Sequence, residues 1–347
     1  MAPVAPRQAR HPLSEFGLIR TLQRRFPSRD NALIRGIGDD AAVVAMPAGR
    51  HLVLTTDLLA EGVHFDLRTA SFEDVGYKAA IANLSDVAAM GARPEHVLVA
   101  LAAPAACAAP QILQLYKGLM AACRPYRVSL IGGDTSASAN GWFLSVTVTG
   151  TVPAGSALLR SGARVGDAIY VTGTLGDSLA GLQLLSRRRP MAATRLPPAD
   201  RRFLLRRHRR PLAHCRFGQL LGTHRLATAA IDLSDGLSGD IRHLCEESRV
   251  GAELHTAALP LSPALTAYAK AAGTDPAALA LQGGEDYELL FTVSPANLRR
   301  LQRAAGEPGR RLTRIGVIQP KSFGIRLRDA SGNLRRLPVT SYEHFRS

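Results

Sequence analysis

The chain has 347 residues, 46% of them hydrophobic, which suits two globular domains and not a disordered or fibrous protein. Its four cysteines are far apart and form no CxxC pair, so neither a zinc site nor a disulfide framework is indicated. The most apolar run, Val97–Pro110, is too short to span a bilayer, and the first eleven residues lack a secretory apolar segment. We therefore expect a cytoplasmic protein with no membrane partner.

The formal net charge of +15 raises the question of nucleic-acid binding. Only four of the 43 basic residues are lysine, however, and alanine is abundant, a pattern that a coding bias toward Arg and Ala explains. One tryptophan and an aromatic fraction of 5% leave little for base stacking. We predict that the arginine-rich runs are solvated helix faces and that nucleic acid is not a partner.

Strand and helix patterns alternate along the first half of the chain, which predicts an α/β or α+β protein. The segment Phe143–Val152 is β-branched and alternates with period two. The predicted helices are Ser14–Phe26, Phe72–Met90 and Pro110–Cys123, and the predicted strands are His51–Leu59, His96–Ala102, Ser129–Ile131 and Phe143–Val152. A loop rich in Gly, Pro and Ser, Pro153–Gly166, separates the halves.

The second half has the same alternation. The predicted strands are Asp167–Thr172, Ala229–Asp232, Tyr287–Val293 and Leu312–Ile318, and the predicted helices are Asp177–Arg187, Ala199–Arg209, Cys215–Leu221 and Ser238–Ser248. A turn of small residues carrying acids recurs four times, as Gly-Ile-Gly-Asp-Asp, Gly-Gly-Asp-Thr, Asp-Leu-Ser-Asp-Gly and Gly-Gly-Glu-Asp. This recurrence is the main functional signal in the sequence.

The first acidic turn, Gly36–Ala41, formally satisfies the dinucleotide fingerprint GxGxx(G/A), with Asp57 downstream. In that fingerprint, bare backbone N–H groups face the pyrophosphate. Two adjacent carboxylates, Asp39 and Asp40, would repel phosphates unless a cation lay between them. The turn therefore indicates metal-bound phosphate and argues against a Rossmann oxidoreductase.

Two acids in the first half have surroundings suited to a cation. Thr55-Thr56-Asp57 follows an apolar strand, and hydroxyl and carboxylate oxygens at a strand end are ligands that Mg²⁺ prefers. Asp57 could alternatively cap the next segment. Asp86 is surrounded by apolar and small residues on a predicted helix, where an unpaired carboxylate would be costly. It needs an arginine, capping donors or a metal, and we place the metal first.

Later turns repeat the pattern. Two glycines and Asp134 follow a short buried strand, and Asp232 and Asp235 flank Ser234 ahead of a helix. A helix N-cap explains one such site but not four. The segment Gly173–Ser178 is a flexible turn at a helix start, an arrangement open to phosphate. The Walker A loop, the protein-kinase motifs, GxSxG and HExxH are all absent from the sequence, so a phosphoryl-transfer enzyme of this kind would use metals held by dispersed carboxylates.

An ordered series of motifs spans nearly the whole chain: GIGDDAAV, TTDLLAEGVHF, YKAAIANLSDVAAMGA, LIGGDTS, LLRSGARVGD, YVTGTLGDS, IDLSDGLSGD, GGEDYELLFTV and SYEHF. In this series the chain resembles the thiamine-monophosphate kinase family, within the aminoimidazole ribonucleotide synthetase-like superfamily. The resemblance implies two α/β domains, which we place at residues 12–152 and 153–347. It also implies a homodimer formed by the N-terminal domain, and ATP bound between the domains.

The resemblance also implies a site. The Mg²⁺ ligands would be Asp40, Thr55, Thr56, Asp57, Asp86, Asp134, Asp232 and Asp235. The ATP contacts would be Gly133, Asp134, Arg160 and Ser234, and the thiamine phosphate contacts would be His64, Glu285 and Tyr342. Among these, Asp57, Asp86 and Arg160 would be catalytic. Without the resemblance, His64 would have no functional assignment, because a single histidine is more often structural than functional.

The implied reaction is phosphorylation of thiamine monophosphate to thiamine diphosphate by ATP. A phosphate monoester has a second pKa of about 6, so its oxygen is already mostly ionised near neutral pH and needs no general base. Mg²⁺ ions bridging both phosphates would relieve their repulsion, and we hypothesise direct in-line transfer. The alternatives are another ATP-using superfamily enzyme, of the aminoimidazole ribonucleotide or selenophosphate synthetase type, and a non-catalytic nucleic-acid-binding protein.

Overall fold

The structure, a computed structural model, describes residues 21–22, 24–27, 31–35, 43–186, 195–304 and 311–338. Asp40 and Tyr342, predicted to contact metal and acceptor, lie outside the described residues. So do most of the predicted helix Ser14–Phe26 and the remainder of the first acidic turn.

The first half contains a four-stranded sheet covered on one face by two helices. Its strands are β3 (Arg50–Ala60), β4 (Arg93–Pro104), β5 (Ser129–Ser138) and β6 (Phe143–Pro153), and its helices are α1 (Phe72–Ala89) and α2 (Ala109–Cys123). The strand order is β3-β6-β4-β5, with β4 and β5 parallel and the other neighbours antiparallel. Two short strands, β1 (Leu33–Arg35) and β2 (Val43–Val44), pair separately.

Helix α1 is the central element of this domain because it is buried on nearly every side. Ser71 caps its N-terminus by accepting a hydrogen bond from the backbone N–H of Asp74. Gly76 faces α2 so closely that a Cβ there would lie 1.9 Å from the carbonyl oxygen of Leu115. The close approach of α2, together with the small residues of α1, lets the helix pack backbone to backbone and places Asp86 deep between layers.

The second half contains a seven-stranded sheet and seven helices among the described residues. The strands are β7 (Ala168–Thr172), β8 (Ala229–Asp232), β9 (Gly251–His255), β10 (Leu289–Val293), β11 (Leu312–Gln319), β12 (Ile325–Arg328) and β13 (Leu334–Arg336). The helices are α3 (Asp177–Leu185), α4 (Pro198–Arg209), α5 (Cys215–Thr223), α6 (Leu237–Ser248), α7 (Pro263–Ala272), α8 (Pro276–Gln282) and α9 (Leu298–Ala304). The strand order is β13-β12-β9-β11-β7-β10-β8, antiparallel except for β12 beside β9.

The two halves share part of one hydrophobic core. Phe217 on α5 and Phe291 on β10 belong to the same buried cluster as the α1 side chains. A Cβ on Gly218 would lie 2.0 Å from the carbonyl oxygen of Ala88, so α5 packs directly on the C-terminal end of α1. This contact fixes the boundary between the halves, where the acidic residues lie.

The interpretation of two motifs as the ends of strands is wrong, although the first, Thr55-Thr56-Asp57, lies within the predicted strand His51–Leu59. Thr55, Thr56 and Asp57 lie in the middle of β3, not at a strand end, because β6 pairs with β3 over its full length from Arg50 to Ala60. Gly132, Gly133 and Asp134 similarly lie inside β5, which pairs with β4 up to Ser138. Their polar and glycine residues favour a turn locally, but pairing with a long neighbouring strand outweighs that preference.

Candidate active site

Three buried or half-buried carboxylates meet at the boundary between the two halves. Asp57 projects from β3, Asp86 from α1 and Asp232 from the end of β8. The Thr55 hydroxyl donates a 2.5 Å hydrogen bond to Asp86 Oδ2. The Ser85 hydroxyl donates a 2.8 Å hydrogen bond to Asp232 Oδ2 and so ties the two domains together at the acids. We refer to Asp57, Asp86 and Asp232 as the acidic cluster.

The acidic cluster holds more negative charge than its surroundings neutralise. Burial raises the pKa of Asp86 to about 6, and the neighbouring Asp57 charge adds to that rise, while the Thr55 hydrogen bond and Arg160 oppose it. Burial and the Asp86 charge raise the pKa of Asp232 to about 7. Burial, then the Asp232 charge, also raises the pKa of Asp57. Bringing a cation to this cluster would lower all three pKa values.

The donor set of the acidic cluster fits Mg²⁺, which prefers oxygen ligands and usually keeps several waters. Within the described part of the chain, no three His, Cys, Asp or Glu side chains are close enough to hold an ion by themselves. Water and phosphate oxygens would therefore complete the coordination. The uncompensated charge of the cluster supports this fit.

The predicted metal ligands divide between the two faces of the N-terminal sheet. Asp57 pairs with Val146, which is buried under the helices, so Asp57 faces the acidic cluster. Asp134 pairs with the exposed Ala100, and Thr56 pairs with Thr147, whose hydroxyl donates to the Thr56 hydroxyl at 3.0 Å. Thr56 and Asp134 therefore lie on the outer sheet face, and the structure does not bring their side chains into the acidic cluster.

The turn Asp232–Gly236 is packed against the turn Gly283–Asp286. The backbone N–H of Glu285 donates to the carbonyl oxygen of Ser234 at 2.8 Å, and a Cβ on Gly284 would lie 2.6 Å from that same oxygen. Helix α6 begins after Gly236, whose position as N-cap involves no side-chain hydrogen bond. The N-cap position is thus Gly236 and neither Ser234 nor Asp235, and the functional interpretation of the Asp-Leu-Ser-Asp sequence stays a prediction.

Arg160, predicted to contact ATP, is exposed in the loop between β6 and β7. Its charge lowers the pKa values of both Asp86 and Asp232, which places it beside the acidic cluster. The sequence prediction ranked a metal ahead of an arginine as the partner of Asp86, since the nearest arginine in sequence was Arg93. The structure shows that an arginine from the other half of the chain also reaches this carboxylate electrostatically.

The predicted acceptor residues lie to one side of this cluster. His64 Nδ1 accepts a 3.0 Å hydrogen bond from the backbone N–H of Ala60, the last residue of β3. The Glu285 carboxylate accepts a 2.9 Å bond from Lys78 Nζ. Burial alone would raise the pKa of Glu285, but the Lys78 ammonium, with smaller effects from the neighbouring His208 and His64, outweighs burial and lowers that pKa. His64 and Glu285 are therefore electrostatic neighbours, as a shared role requires.

The predicted phosphate turn at the start of α3 is already occupied by a carboxylate. Asp286 accepts hydrogen bonds from the backbone N–H groups of Gly176 at 2.5 Å and Ser178 at 3.0 Å. Burial raises the pKa of Asp286 to about 7, against the lowering effect of Arg207. The expectation that Gly173–Ser178 is open to phosphate is therefore wrong, because an internal acid satisfies the donors a phosphate would use.

The arginine-rich run is only partly a solvated face, which corrects the sequence interpretation. Arg201, Arg202 and Arg206 are exposed on α4. Arg207, in contrast, is largely buried and lies 2.8 Å from Glu288, and Arg210 pairs with Glu73 and Asp74 of α1. Arg210 therefore joins the two domains, whereas Arg207 pairs with an acid of its own domain.

Three residues that contribute to the site were not singled out from the sequence. Ser85, Lys78 and Arg207 each contact an acid of the other domain or of the second-half turns. Lys78 carried a usable signal, since it is one of only four lysines and lies within an apolar helical run. Ser85 and Arg207 carried none, because their partners lie 147 and 81 residues away.

Comparison with known proteins agrees with this architecture. The model of the AIR synthase related protein N-terminal domain matches residues 38–152, and that of the C-terminal domain matches residues 164–327. These matches, with the two-domain fold and acidic cluster, define the class as AIR synthase related proteins. Among the described residues, no helix is long and apolar enough to cross a bilayer.

Curated relatives specify the family further. The thiamine-monophosphate kinase of Salmonella typhimurium is 41% identical over 95% of this chain and 98% of its own length. A crystal structure of thiamine-monophosphate kinase from Stenotrophomonas maltophilia has a TM-score of 0.80 at 38% identity, covering 93% of this chain and 98% of that one. The structure of AaThiL complexed with AMPPCP and TMP has a TM-score of 0.75 at 36% identity, covering 96% and 97%. The chain therefore belongs to the thiamine-monophosphate kinase family, a family of phosphotransferases.

Proposed function

We propose that this protein uses ATP to phosphorylate thiamine monophosphate, giving thiamine diphosphate in the last step of its biosynthesis. The proposal rests on one observation: carboxylates with raised pKa values lie together at the boundary between the two domains. The related protein AaThiL has been solved in complex with AMPPCP and TMP. A cluster of this charge suits two phosphates that must be brought together through cations.

The proposed reaction requires the chain's own residues to hold Mg²⁺. Asp57, Asp86 and Asp232 would hold Mg²⁺ together with Asp235, Thr55 and Asp40. Thr56 and Asp134 stay proposed Mg²⁺ ligands, but their side chains lie on the outer sheet face and not in the acidic cluster. Bound Mg²⁺ would neutralise phosphate charge and align the acceptor oxygen with the γ-phosphorus. No general base is needed, since the acceptor oxygen is already mostly ionised.

The remaining residues divide between the two substrates. Gly133, Asp134, Arg160 and Ser234 are proposed for ATP, with Arg160 offering a fixed positive charge to the transferring group. His64, Glu285 and Tyr342 are proposed for thiamine phosphate.

The proposal is tested by measuring ADP release with thiamine monophosphate, and separately with aminoimidazole precursors, with and without Mg²⁺. We expect turnover with thiamine monophosphate and Mg²⁺ only. Turnover with an aminoimidazole substrate instead would favour a synthetase of the same superfamily. Single-turnover quench experiments test direct transfer, since accumulation of phosphorylated protein would contradict it.

A nucleic-acid-binding function rests on the net charge of +15 alone. Steeply salt-dependent DNA binding without ATP consumption would support it. Arg207 of α4 pairs with Glu288, and Arg210, just after α4, pairs with Glu73 and Asp74 of α1. These pairs reduce the charge available for such a surface.

We also propose a cytoplasmic homodimer joined through the N-terminal sheet. The outer face of β3 exposes Leu52, Leu54 and Leu58, and Phe143 of β6 lies beside them. An apolar strip of this kind on a sheet face is typical of a surface that another chain covers.

A further inference from the structure

Helix α1 carries a lysine in a position where a charge is costly. Lys78 is 7% exposed and is followed by the small, buried residues Ala79 and Ala80. Its ammonium group reaches into the other domain and lies 2.9 Å from Glu285 Oε2. Burying an ion pair seldom stabilises a fold more than apolar residues of the same size would, so a buried pair at a site invites a functional explanation.

The groups around the pair make Lys78 the main cation facing Glu285. His208 Nδ1 lies 3.4 Å from Lys78 Nζ and 3.1 Å from the Ser178 hydroxyl. Burial and the positive charges of Lys78 and Arg209 lower the pKa of His208 to about 4, although Glu285 opposes this. A neutral His208 ring nitrogen can accept from the ammonium, and it adds no charge to the pair near neutral pH.

Glu285 is held so that part of its carboxylate stays available. Lys78 and His208 both approach the same oxygen, Oε2, and 30% of the side chain is exposed. The Glu285 backbone has a φ of 60°, a left-handed conformation that a residue with a side chain seldom adopts. Left-handed residues of this kind occur at ligand sites, where the surrounding structure maintains the strain.

We infer that Lys78 is a positioning residue that keeps Glu285 ionised and oriented toward the acceptor, and that the site thereby selects a phosphate monoester carrying a positive charge near its phosphate. The inference rests on the proposed function. A fixed carboxylate beside a half-buried acceptor site stabilises a cationic ring and offers nothing comparable to a neutral one. The thiazolium ring of thiamine monophosphate has the required charge.

Two acceptor probes test the charge preference directly. One is a neutral thiazole bearing a phosphorylated hydroxyethyl group, and the other is its N-methylated, cationic thiazolium counterpart. In the wild-type enzyme we expect kcat/KM to favour the cationic probe by about tenfold or more, corresponding to one retained charge interaction. In Lys78→Met the ratio should fall toward one, whereas Lys78→Arg should restore most of it.

The same variants separate positioning from general damage. Lys78→Met should raise the KM for thiamine monophosphate by about tenfold while changing the KM for ATP by less than about twofold. Lys117→Met is the matched control, because Lys117 also lies 2.9 Å from a glutamate, Glu73, but on the exposed surface. We expect its kinetic constants to equal those of the wild type.

Lys78→Met leaves the Glu285 carboxylate without its lysine partner, and the variant could therefore fail to fold. The double variant Lys78→Met/Glu285→Gln removes both charges and should fold. It should show the same KM for thiamine monophosphate as Glu285→Gln alone, since the lysine acts only through the glutamate. An additional loss in the double variant, or an unchanged probe ratio in Lys78→Met, would overturn the inference while leaving the kinase proposal intact. A wild-type enzyme inactive on thiamine monophosphate would overturn both.

Discussion

At the scale of single residues, the acidic cluster destabilises the folded protein but is suited to binding a cation. Asp57, Asp86 and Asp232 repel one another and are poorly solvated, so the folded protein tolerates their charges at a cost that a bound cation would offset. Residues retained in such surroundings are candidates for function, because replacing them with neutral residues would otherwise be favourable.

This cost leads to a prediction for Asp86→Asn. Turnover should fall by about a hundredfold or more, since a group that organises charge at the transferring phosphate is lost. The melting temperature should stay the same or rise, because one of three mutually repelling charges is gone and the Thr55 hydroxyl can still donate to the amide oxygen. ADP release and thermal unfolding measure the two effects. Asp66→Asn, which alters a half-buried acid paired with the exposed Arg68, should change neither, and near-normal activity of Asp86→Asn would remove Asp86 from the site.

His208 gives a prediction for the pH dependence of stability. Its pKa is lowered from 6.5 to about 4 by burial and by Lys78, with Arg209 adding to this and Glu285 opposing it. The unfolded chain therefore binds a proton at a higher pH than the folded one does. Keeping His208 neutral therefore contributes about 3 kcal/mol to the free energy of unfolding. This contribution is fully present above about pH 6.5 and is lost as the pH falls through about 4.

Denaturant unfolding between pH 7.5 and 4.5 measures that contribution. The decline in unfolding free energy should be shallower in His208→Gln than in the wild type. His243→Gln, which removes an exposed histidine from α6, should leave the wild-type slope. Equal slopes in wild type and His208→Gln would contradict a buried neutral His208.

The residue types of the site could be predicted from sequence, but not their contacts. Asp86 was identifiable because a carboxylate within Ala80–Met90 demands a partner. The partners themselves, Thr55 and the distant Arg160, lie on other elements, and no local rule relates them to Asp86. Long-range pairing of this kind is decided by the packing of the two domains.

At the scale of elements, helix α4 has two faces with opposite roles. Its exposed arginines meet solvent, whereas Arg207 lies among Glu288, Asp177 and Asp286. Burial works against the positive charge of Arg207, but these three acids outweigh it and raise the pKa of the guanidinium. The helix thus supplies the charge that lets the second-half acids remain buried.

Replacing Arg207 should therefore destabilise the protein strongly. Arg207→Met removes a cation that Glu288, Asp177 and Asp286 share and should lower the unfolding free energy by about 3–5 kcal/mol. Arg206→Met, one position earlier on the exposed face, should change it by no more than about 0.5 kcal/mol. Denaturant titration of both variants measures the difference, and equal values would mean that Arg207 is not a buried partner of Glu288.

The elements themselves were predicted where their patterns were strong. The predicted helix Phe72–Met90 and strand Phe143–Val152 lie within one residue of α1 and β6. Helix α7 was not predicted, although Ser262 caps it and a proline follows at its first position, two sequence signals of a helix N-terminus. The short strands β12 and β13 carry too few residues for a periodic signal.

At the scale of the whole molecule, the ordered motifs predicted the two-domain architecture. They did not predict the order of the strands in the seven-stranded sheet. The seven-stranded sheet places β8 at one edge and β9 near the other, although the two are separated by a single helix in sequence. Such an order depends on which strands bury each other's faces, a property of the assembled domain. The resemblance to a family provided the architecture that local patterns could not.

The proposed dimer gives the last prediction. The side chains of Leu54 and Leu58 are 63% and 58% exposed on β3, and they alternate with Thr55 and Asp57, which face inward. Leu54→Glu places a charge at the middle of this strip and should convert a dimer into a monomer, because a buried unpaired carboxylate opposes association. Light scattering during size-exclusion chromatography measures the mass of each species.

The control is Leu182→Glu, which places the same charge on a 45% exposed leucine of α3, away from the N-terminal sheet, and should leave the dimer intact. If Leu54→Glu remained a dimer, the outer face of β3 would not be the interface. If it became a folded monomer, its activity would decide a further point. Asp134 and Thr56 lie on this same outer face, so a monomer without activity would indicate that their contribution to the site depends on the dimer.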